Sequence, residues 1–168
     1  AVIRSDVNEG KGAALKKTTD RIDGKIIIIQ DSDLEYDPEE YEKLIYPILN
    51  LGADIVYGNR FNNNKYERVH MFSHKVANFI ITFLVNLSTN VNFKDVECGF
   101  KVFKSNIFKS INLCEKSFGF EIEITKKICK EDNKIFQVPV SYNGRSYTDG
   151  KKIRLKDAFR AVYCIFKY

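Results

Sequence analysis

Apolar runs and helical repeats alternate along this chain. Four consecutive isoleucines open the segment from Ile26 to Gln30, and an unbroken β-branched run of this kind predicts a strand buried on both faces, as in the centre of a parallel sheet. The shorter runs "DIVYG", "GFKVF" and "KIFQVPVSY" predict three further strands. The last contains Pro139, which cannot donate to a ladder and therefore favours an edge position or a bulge.

Helices are predicted between these strands. Asp37 can cap a helix that has Pro38 in its first turn, and Glu40 would complete a capping box. A second, strongly apolar helix is predicted from Met71 to Leu87. Four more helical segments are expected after the glycine loop in "NEGKGAALKKTTDRI" and in "SNIFKSI", "GFEIEITKKICKEDN" and "LKDAFRAVYCIFKY". Strands that alternate with helices predict an α/β fold whose sheet is mostly parallel and flanked by helices.

Length and composition indicate one soluble domain. The chain has 168 residues, of which 44% are apolar and 29% are charged, and no repeat or linker divides it. Residues 1–168 are therefore predicted to form a single domain. Four widely spaced cysteines without a CxxC motif argue against a zinc site and a disulfide framework, and they favour a reducing cytosolic setting. No apolar run reaches the roughly 18 residues of a membrane span.

The net charge of +5 leaves two interpretations open. It fits a solvated basic surface, and it equally fits affinity for phosphates, nucleic acid or an anionic membrane. The basic residues are scattered and no nucleic-acid-binding motif accompanies them, so nucleic acid is the least favoured partner.

Acidic residues crowd directly after the isoleucine strand. In an extended stretch, residues two apart point to the same side, so Asp31, Asp33 and Glu35 are expected to aim at one point. Carboxylate oxygens without His or Cys suit Mg²⁺ or Mn²⁺. Because Mg²⁺ usually takes one or two protein carboxylates and fills its shell with water and phosphates, a diphosphate is the expected companion. Alternatively, these acids only cap the next helix, as Asp37 is expected to do.

Seven motifs follow one another in an order that points to a known family. They are "NEGKGAAL", "QDSDLEYDP", "DIVYGNRF", "DVECGFKVF", "FGFEIEI", "VPVSYNGRSYTDGKKI" and "YCIFKY". Together they resemble the family-2 inverting glycosyltransferases of the GT-A fold, above all the dolichyl- or polyprenyl-phosphate mannosyl- and glucosyltransferases. Such enzymes open with a further strand and a "DDGSTD" segment. The resemblance therefore implies the C-terminal two-thirds of a catalytic domain.

The resemblance assigns a metal site and a nucleotide loop. It implies that Asp31 and Asp33 form a DXD motif that holds Mg²⁺ or Mn²⁺ on the diphosphate of a sugar nucleotide, with Glu35 as a further metal-facing residue. The loop implied to lie near the nucleotide consists of Asn8, Gly10, Lys11 and Gly12. The alternative for this loop is that its glycines only make a turn.

Basic residues for phosphate binding are implied as well. Arg60 and Arg68 match positions that hold a lipid phosphate, and Arg145, Lys151 and Lys152 match an element near the phosphates. Arginine suits this task because its planar fork can pair with two phosphate oxygens. The alternative is that all five are solvated surface charges.

The remaining acids and histidines are ambiguous. Asp95 and Glu97 lie beyond a helix, where relatives carry an acid near the sugar or the acceptor. One of them is expected to orient a sugar hydroxyl, unless Asp95 only supports a turn. Glu121 and Glu123 are interpreted as acids at the start of a helix, where they interact with its dipole. His70 and His74 are interpreted as surface or interface histidines.

The sequence thus predicts a metal-dependent inverting glycosyltransferase that moves mannose or glucose from a GDP- or UDP-sugar to a dolichyl or polyprenyl phosphate. Asp33, Arg60, Asp95 and Arg145 form the predicted catalytic set. The predicted location is the cytoplasmic membrane face, with peripheral contact through the helix from Met71, and self-association is left open. The alternative for this helix is that it packs inside the domain or against a partner. The competing hypotheses are the same fold with a saccharide or protein acceptor, and a non-catalytic sugar-nucleotide-binding module.

Overall fold

The computed structural model of the protein describes residues 2–61, 69, 71–145 and 155–168. The helices are α1 (Lys11–Thr18), α2 (Tyr41–Asn50), α3 (Phe72–Thr89), α4 (Ser105–Ser110), α5 (Gly119–Ile128) and α6 (Leu155–Lys167). The strands are β1 (Ile26–Ile29), β2 (Ile55–Asn59), β3 (Lys101–Lys104) and β4 (Ile135–Pro139). Each predicted helix and strand is therefore present, and the α/β class is confirmed.

The four strands form one sheet in the order β1-β3-β2-β4. Strand β3 runs antiparallel to both β1 and β2, whereas β2 and β4 are parallel. Three of the four described strands thus point the same way, but most of their pairings are antiparallel, which corrects the expected parallel ladder. The antiparallel pairings of β3 follow from the loop that leads into it. This loop lies beside the ends of β1 and β2, where Asp95 pairs with Arg60, so β3 must run back through the sheet.

The position of β1 also differs from the prediction. Among the described strands, β1 lies at one edge, and three of its four isoleucines are only half-buried. The fully buried strand is β2, which lies between β3 and β4. A β-branched run therefore identified a strand correctly but not its place in the sheet. Pro139 ends β4 at the opposite edge, as predicted.

Helices cover both faces of the sheet. Alternate residues of a strand point to opposite faces, so Ile55 and Tyr57 enter one core while Val56 enters the other. The first core is completed by α3, α5 and α6, and the second by α2. This packing of helices on both faces of the sheet fixes the ends of β1 and β2, where the predicted chemistry lies.

The start of the second helical segment confirms one prediction and corrects another. The carboxylate of Asp37 accepts the backbone N–H of Glu39 at 2.9 Å, as a helix cap does. Glu40, however, accepts the backbone N–H of Ser141 at 3.0 Å, from the segment after β4. It therefore joins two distant segments instead of closing a capping box.

Candidate active site

The acidic segment after β1 is a turn rather than an extension of the strand. Leu34 has a φ of 61°, in the left-handed region that non-glycine residues rarely adopt. The side-chain alternation of a strand is lost there, so Asp31, Asp33 and Glu35 do not aim at one point. Within the described residues, no three acidic, histidine or cysteine side chains converge on a metal position. The described structure therefore differs from the expectation that all three carboxylates converge on one point.

Asp31 is held by a lysine from the N-terminal loop. The Nζ atom of Lys11, the first residue of α1, lies 2.9 Å from one carboxylate oxygen of Asp31 and 2.7 Å from Glu121. Burial lowers the pKa of Lys11, but the two carboxylates outweigh it and raise the pKa above its usual value. Lys11 therefore stays a cation that touches both the surface acid and a buried one.

Behind this contact lies a buried ion pair that the sequence interpretation missed. The side chain of Lys101 in β3 is completely buried and pairs with Glu121 of α5. Burial raises the pKa of Glu121, but Lys101 and Lys11 outweigh it and lower the pKa below the usual value. Glu121 is therefore part of the charge network as well as an acid in the first turn of a helix. A lysine inside the apolar run "GFKVF" was the available signal.

Arg145 binds the other two acids of the turn. Its Nη2 donates to Asp33 at 2.8 Å, and its Nε and backbone N–H donate to Glu35 at 3.2 and 2.9 Å. The hydroxyl of Tyr142 donates to the second oxygen of Glu35 at 3.0 Å. Both oxygens of Glu35 are thus engaged, and its observed role is to hold Arg145 beside Asp33.

Arg60 and Asp95 form a third, more buried pair. The Nε and Nη2 atoms of Arg60 donate to the two oxygens of Asp95 at 2.7 and 2.8 Å, in a bidentate arrangement. Nη2 also donates to Asn78 of α3 at 3.2 Å. The guanidinium carbon lies 5.2 Å from the ring centroid of Tyr142. Tyr142 therefore connects this pair to the Arg145 cluster.

The glycines of the N-terminal loop allow close backbone packing. A Cβ atom on Gly12 would lie 2.0 Å from the carbonyl oxygen of Glu115, and one on Gly10, whose φ is 96°, would lie 2.3 Å from that of Lys116. Asn8 accepts the backbone N–H of Gly10 at 3.1 Å. The loop is therefore pressed against residues 115–116, which holds Lys11 beside Asp31.

Comparison with known proteins identifies the family and the fold of this chain. The sequence profile of glycosyl transferase family 2 matches residues 1–111, about two thirds of the chain. The chain belongs to glycosyl transferase family 2. Its GT-A fold is confirmed by similarity to glucosyl-3-phosphoglycerate synthase of Mycobacterium tuberculosis, solved with Mn²⁺, uridine diphosphate and phosphoglyceric acid. The two share 17% identity and a TM-score of 0.65, over 99% of this chain and 55% of that chain.

Relatives of this family 2 glycosyltransferase are found among archaeal proteins. The uncharacterized protein MJ0544 of Methanocaldococcus jannaschii is 30% identical over 98% of this chain and 75% of its own length. The dolichol-phosphate mannosyltransferase of Pyrococcus furiosus is 26% identical over 99% of this chain. The chain spans about half, 48%, of the length of that enzyme. Helices long and apolar enough to cross a bilayer are not found in the described part of this chain.

Four residues that the sequence analysis singled out lie outside the described part of this family 2 domain. They are the predicted phosphate contacts Arg68, Lys151 and Lys152, and the histidine His70. Glu123 is described, and its carboxylate accepts the backbone N–H groups of Cys114 and Glu115 at 2.7 Å each, which is a structural role. The predicted roles of the unplaced residues stay predictions.

The carboxylates present fit a divalent metal through two residues. Asp31 and Asp33 keep 30% and 24% of their side chains exposed, and each contacts a cation that comes from another segment. Glu35 is engaged by Arg145 and Tyr142. Two hard oxygen donors, with phosphate and water completing the shell, are the set that Mg²⁺ ordinarily uses. Metal binding by these residues stays a prediction.

Proposed function

We propose that this domain is a metal-dependent inverting glycosyltransferase, which moves mannose or glucose from a GDP- or UDP-sugar to a dolichyl or polyprenyl phosphate. The observation that carries the proposal is the pairing of acids and cations at the ends of β1 and β2. Asp31 meets Lys11, Asp33 meets Arg145, and Arg60 meets Asp95. Such a site offers ligands for a metal ion and cations for phosphate groups at the same end of the two strands. The similarity to a dolichol-phosphate mannosyltransferase supports the acceptor.

On the donor side, Asp31 and Asp33 would hold Mg²⁺ or Mn²⁺. That ion supplies Lewis-acid stabilisation of the negative charge that grows on the leaving diphosphate. Lys11 and Arg145 already lie against the same carboxylates, so both reach the place where the diphosphate would bind. They add fixed positive charge at the leaving group, and this kind of preorganised charge lowers a reaction barrier.

On the acceptor side, Arg60 is the cation that would seat the lipid phosphate. Burial lowers the pKa of Arg60, but Asp95 outweighs it and raises the pKa further, so the guanidinium stays charged. Asp95 fixes the orientation of Arg60 and is fully buried, which makes it a positioning residue in this reaction. Arg68, Lys151 and Lys152 are proposed as further phosphate contacts.

A phosphate acceptor removes the need for a strong base. The second ionisation of a phosphomonoester lies near about pH 6, so the acceptor is mostly a dianion at pH 7. One of its oxygens attacks the anomeric carbon as the bond from that carbon to the diphosphate breaks. The configuration inverts in this single displacement. A saccharide or protein hydroxyl would instead have to lose a proton to a side chain.

The test is transfer of radiolabelled sugar by the complete natural protein. GDP-mannose and UDP-glucose are each supplied with Mn²⁺ and polyprenyl phosphate, and the organic phase is counted for lipid-linked sugar. Incorporation that requires Mn²⁺ and is lost in Asp33→Asn is the expected result. Transfer only to a saccharide acceptor, or metal-independent transfer, would contradict the proposal.

We further propose peripheral contact with the cytoplasmic face of a membrane. The outward side of α3 exposes an apolar stripe that is unusual for a surface helix: Phe72, Val76, Phe79, Ile80, Phe83 and Leu87. The outward side of α6 exposes Phe159, Tyr163 and Phe166, and Lys75 lies beside the ring of Phe61 near the start of α3. Apolar faces with flanking cations are typical of interfacial helices.

Sedimentation with vesicles tests this contact. The protein is expected to sediment with vesicles that contain anionic lipid, and Phe79→Asp with Phe83→Asp should abolish this while the circular-dichroism spectrum is unchanged. Ser110→Asp, at the end of α4, serves as the surface control. Loss of an oligomer in the double variant without any change in vesicle binding would show that copies of the chain meet through this face instead.

A further inference from the structure

One buried side-chain oxygen has no hydrogen-bond partner within the described residues. It is Oε1 of Glu97. The residue as a whole is only half-buried, so part of it remains in contact with solvent. A buried polar atom without a partner costs free energy, and in folded proteins such an atom is explained by local strain, by a bound water or ion, or by a functional role.

Glu97 lies on the segment between the two proposed phosphate ends of the site. Glu97 belongs to the short segment that connects Asp95, which holds Arg60, to Gly99. Gly99 passes so close to Asp31 that a Cβ atom on it would lie 2.6 Å from the Oδ2 of Asp31. The segment thus spans from the proposed acceptor phosphate to the proposed metal-bound diphosphate. If both phosphates bind as proposed, the transferred sugar lies between them and next to this segment.

The neighbouring acids are already engaged, which singles out Glu97. Asp95 pairs with Arg60, and Glu121 pairs with Lys11 and Lys101. Burial, followed by the nearby charge of Glu121, raises the pKa of Glu97 to about 7. A carboxyl group in this range can accept a hydrogen bond and, when protonated, donate one. Sugar hydroxyls are complementary to both forms because each hydroxyl is a donor and an acceptor.

We propose that Glu97 binds a hydroxyl group of the transferred sugar and so helps to select which hexose is used. This inference rests on the proposed function, since it needs a sugar nucleotide in the site. It separates recognition of the sugar from recognition of the diphosphate. Asp31 and Asp33 serve the diphosphate, and Glu97 serves the sugar.

Calorimetry on the complete natural protein with Mn²⁺ tests the separation. Four probes are titrated: UDP, UDP-glucose, GDP and GDP-mannose. Glu97→Leu is expected to weaken binding of the preferred sugar nucleotide about 10- to 100-fold, the value of a hydrogen bond to an ionisable group. Its affinity for the matching nucleotide diphosphate is expected to be unchanged. Glu97→Gln, which keeps the hydrogen-bonding shape, should lose much less.

Thermal unfolding excludes a merely structural role. Glu97→Leu removes an unsatisfied polar group, so its melting temperature is expected to stay equal or to rise. The control is Glu123→Leu, which removes the acceptor for two backbone N–H groups. That variant should melt earlier but keep the wild-type ratio of sugar-nucleotide to diphosphate affinity.

Three outcomes overturn the inference. If Glu97→Leu binds all four probes as the wild type does, the inference fails while the proposed function stands. The same holds if this variant melts earlier and loses both ligands equally. If the wild type binds none of the four probes with Mn²⁺, the proposed function itself fails and takes the inference with it.

Discussion

Two groups of ion pairs lie within one network but differ in their contact with solvent. At the turn after β1, Asp31, Asp33 and Arg145 keep 30%, 24% and 34% of their side chains exposed. A short distance inward, Lys101 and Glu121 keep 0% and 5%. Exposed pairs gain little free energy and can exchange partners, whereas a buried pair cannot lose one member without a large cost. The outer group therefore suits ligand exchange, and the inner group suits support.

Lys11 is the contact between the two groups. Its ammonium group touches Asp31 on the outside and Glu121 on the inside. If Asp31 bound a metal ion, as proposed above, Lys11 would keep its ion pair with Glu121. The lysine would then be free on one side to meet a phosphate oxygen without leaving its place.

The largest effect is expected from breaking the inner group. Glu121→Leu leaves Lys101 buried without its carboxylate, which should lower the free energy of unfolding by about 3–5 kcal/mol. Urea unfolding measures this change. The double variant Glu121→Leu with Lys101→Met should recover most of the loss, because it also removes the stranded charge. A single variant as stable as the wild type would show that the pair is not buried as described.

The next effect is expected in binding rather than stability. Asp33→Asn should weaken binding of Mn²⁺ with a nucleotide diphosphate at least about tenfold, because an amide is a poor ligand for a hard cation. Its stability should change far less than that of Glu121→Leu. The matched control is Asp37→Asn, in the same turn, because Asn caps a helix as well as Asp does. Equal affinity in Asp33→Asn and the control would contradict the metal assignment.

A smaller, pH-dependent effect is expected at Glu115. Burial raises its pKa, but Lys167, Arg160 and Tyr168 outweigh it and lower the pKa to about 2. Because this folded pKa is below the unfolded value, the stabilisation is complete above about pH 4.5 and is lost as the pH falls toward 2. With allowance for solvent around its partners, Glu115→Gln should cost about 1–2 kcal/mol at pH 6. The difference from the wild type should shrink at pH 3, and a constant difference would contradict it.

The smallest effect is expected at an ion pair that joins α2 to the residue just before it. Lys43 pairs with Glu40 three residues earlier, and its side chain is 42% exposed. Lys43→Met should change the free energy of unfolding by less than about 0.5 kcal/mol. Nucleotide binding should be unaffected. A loss of unfolding free energy as large as that of Glu121→Leu would contradict the distinction between solvent-exposed and buried ion pairs.

The sequence predicted a candidate site after β1 but not the contacts within it. An apolar run predicts a buried strand, and acids that follow it directly must lie at the end of that strand. This local pattern was enough to predict a site at the end of β1. The left-handed turn at Leu34 was not predictable, since neither Gly nor Asn stands there to announce it. The pairing of Arg60 with Asp95 joins residues 35 positions apart. Contacts of that kind depend on which loops the sheet brings together, and no local pattern carries this information.

The edge position of β1 was missed for a related reason. Four isoleucines report a preference for the strand conformation and for burial, but they do not specify how many neighbours the strand has. The same limitation applies to Lys101. Its apolar neighbours indicated a buried strand, and a lysine there demanded a buried acid, but the sequence offered several acids and did not select Glu121.

The contacts of Glu115 join α6 to the start of α1. Its carboxylate holds Arg160, Lys167 and Tyr168 from the last fourteen residues, while its backbone carbonyl presses on Gly12. Any change that displaces α6 is therefore transmitted to the loop that holds Lys11 beside Asp31, because Glu115 contacts both.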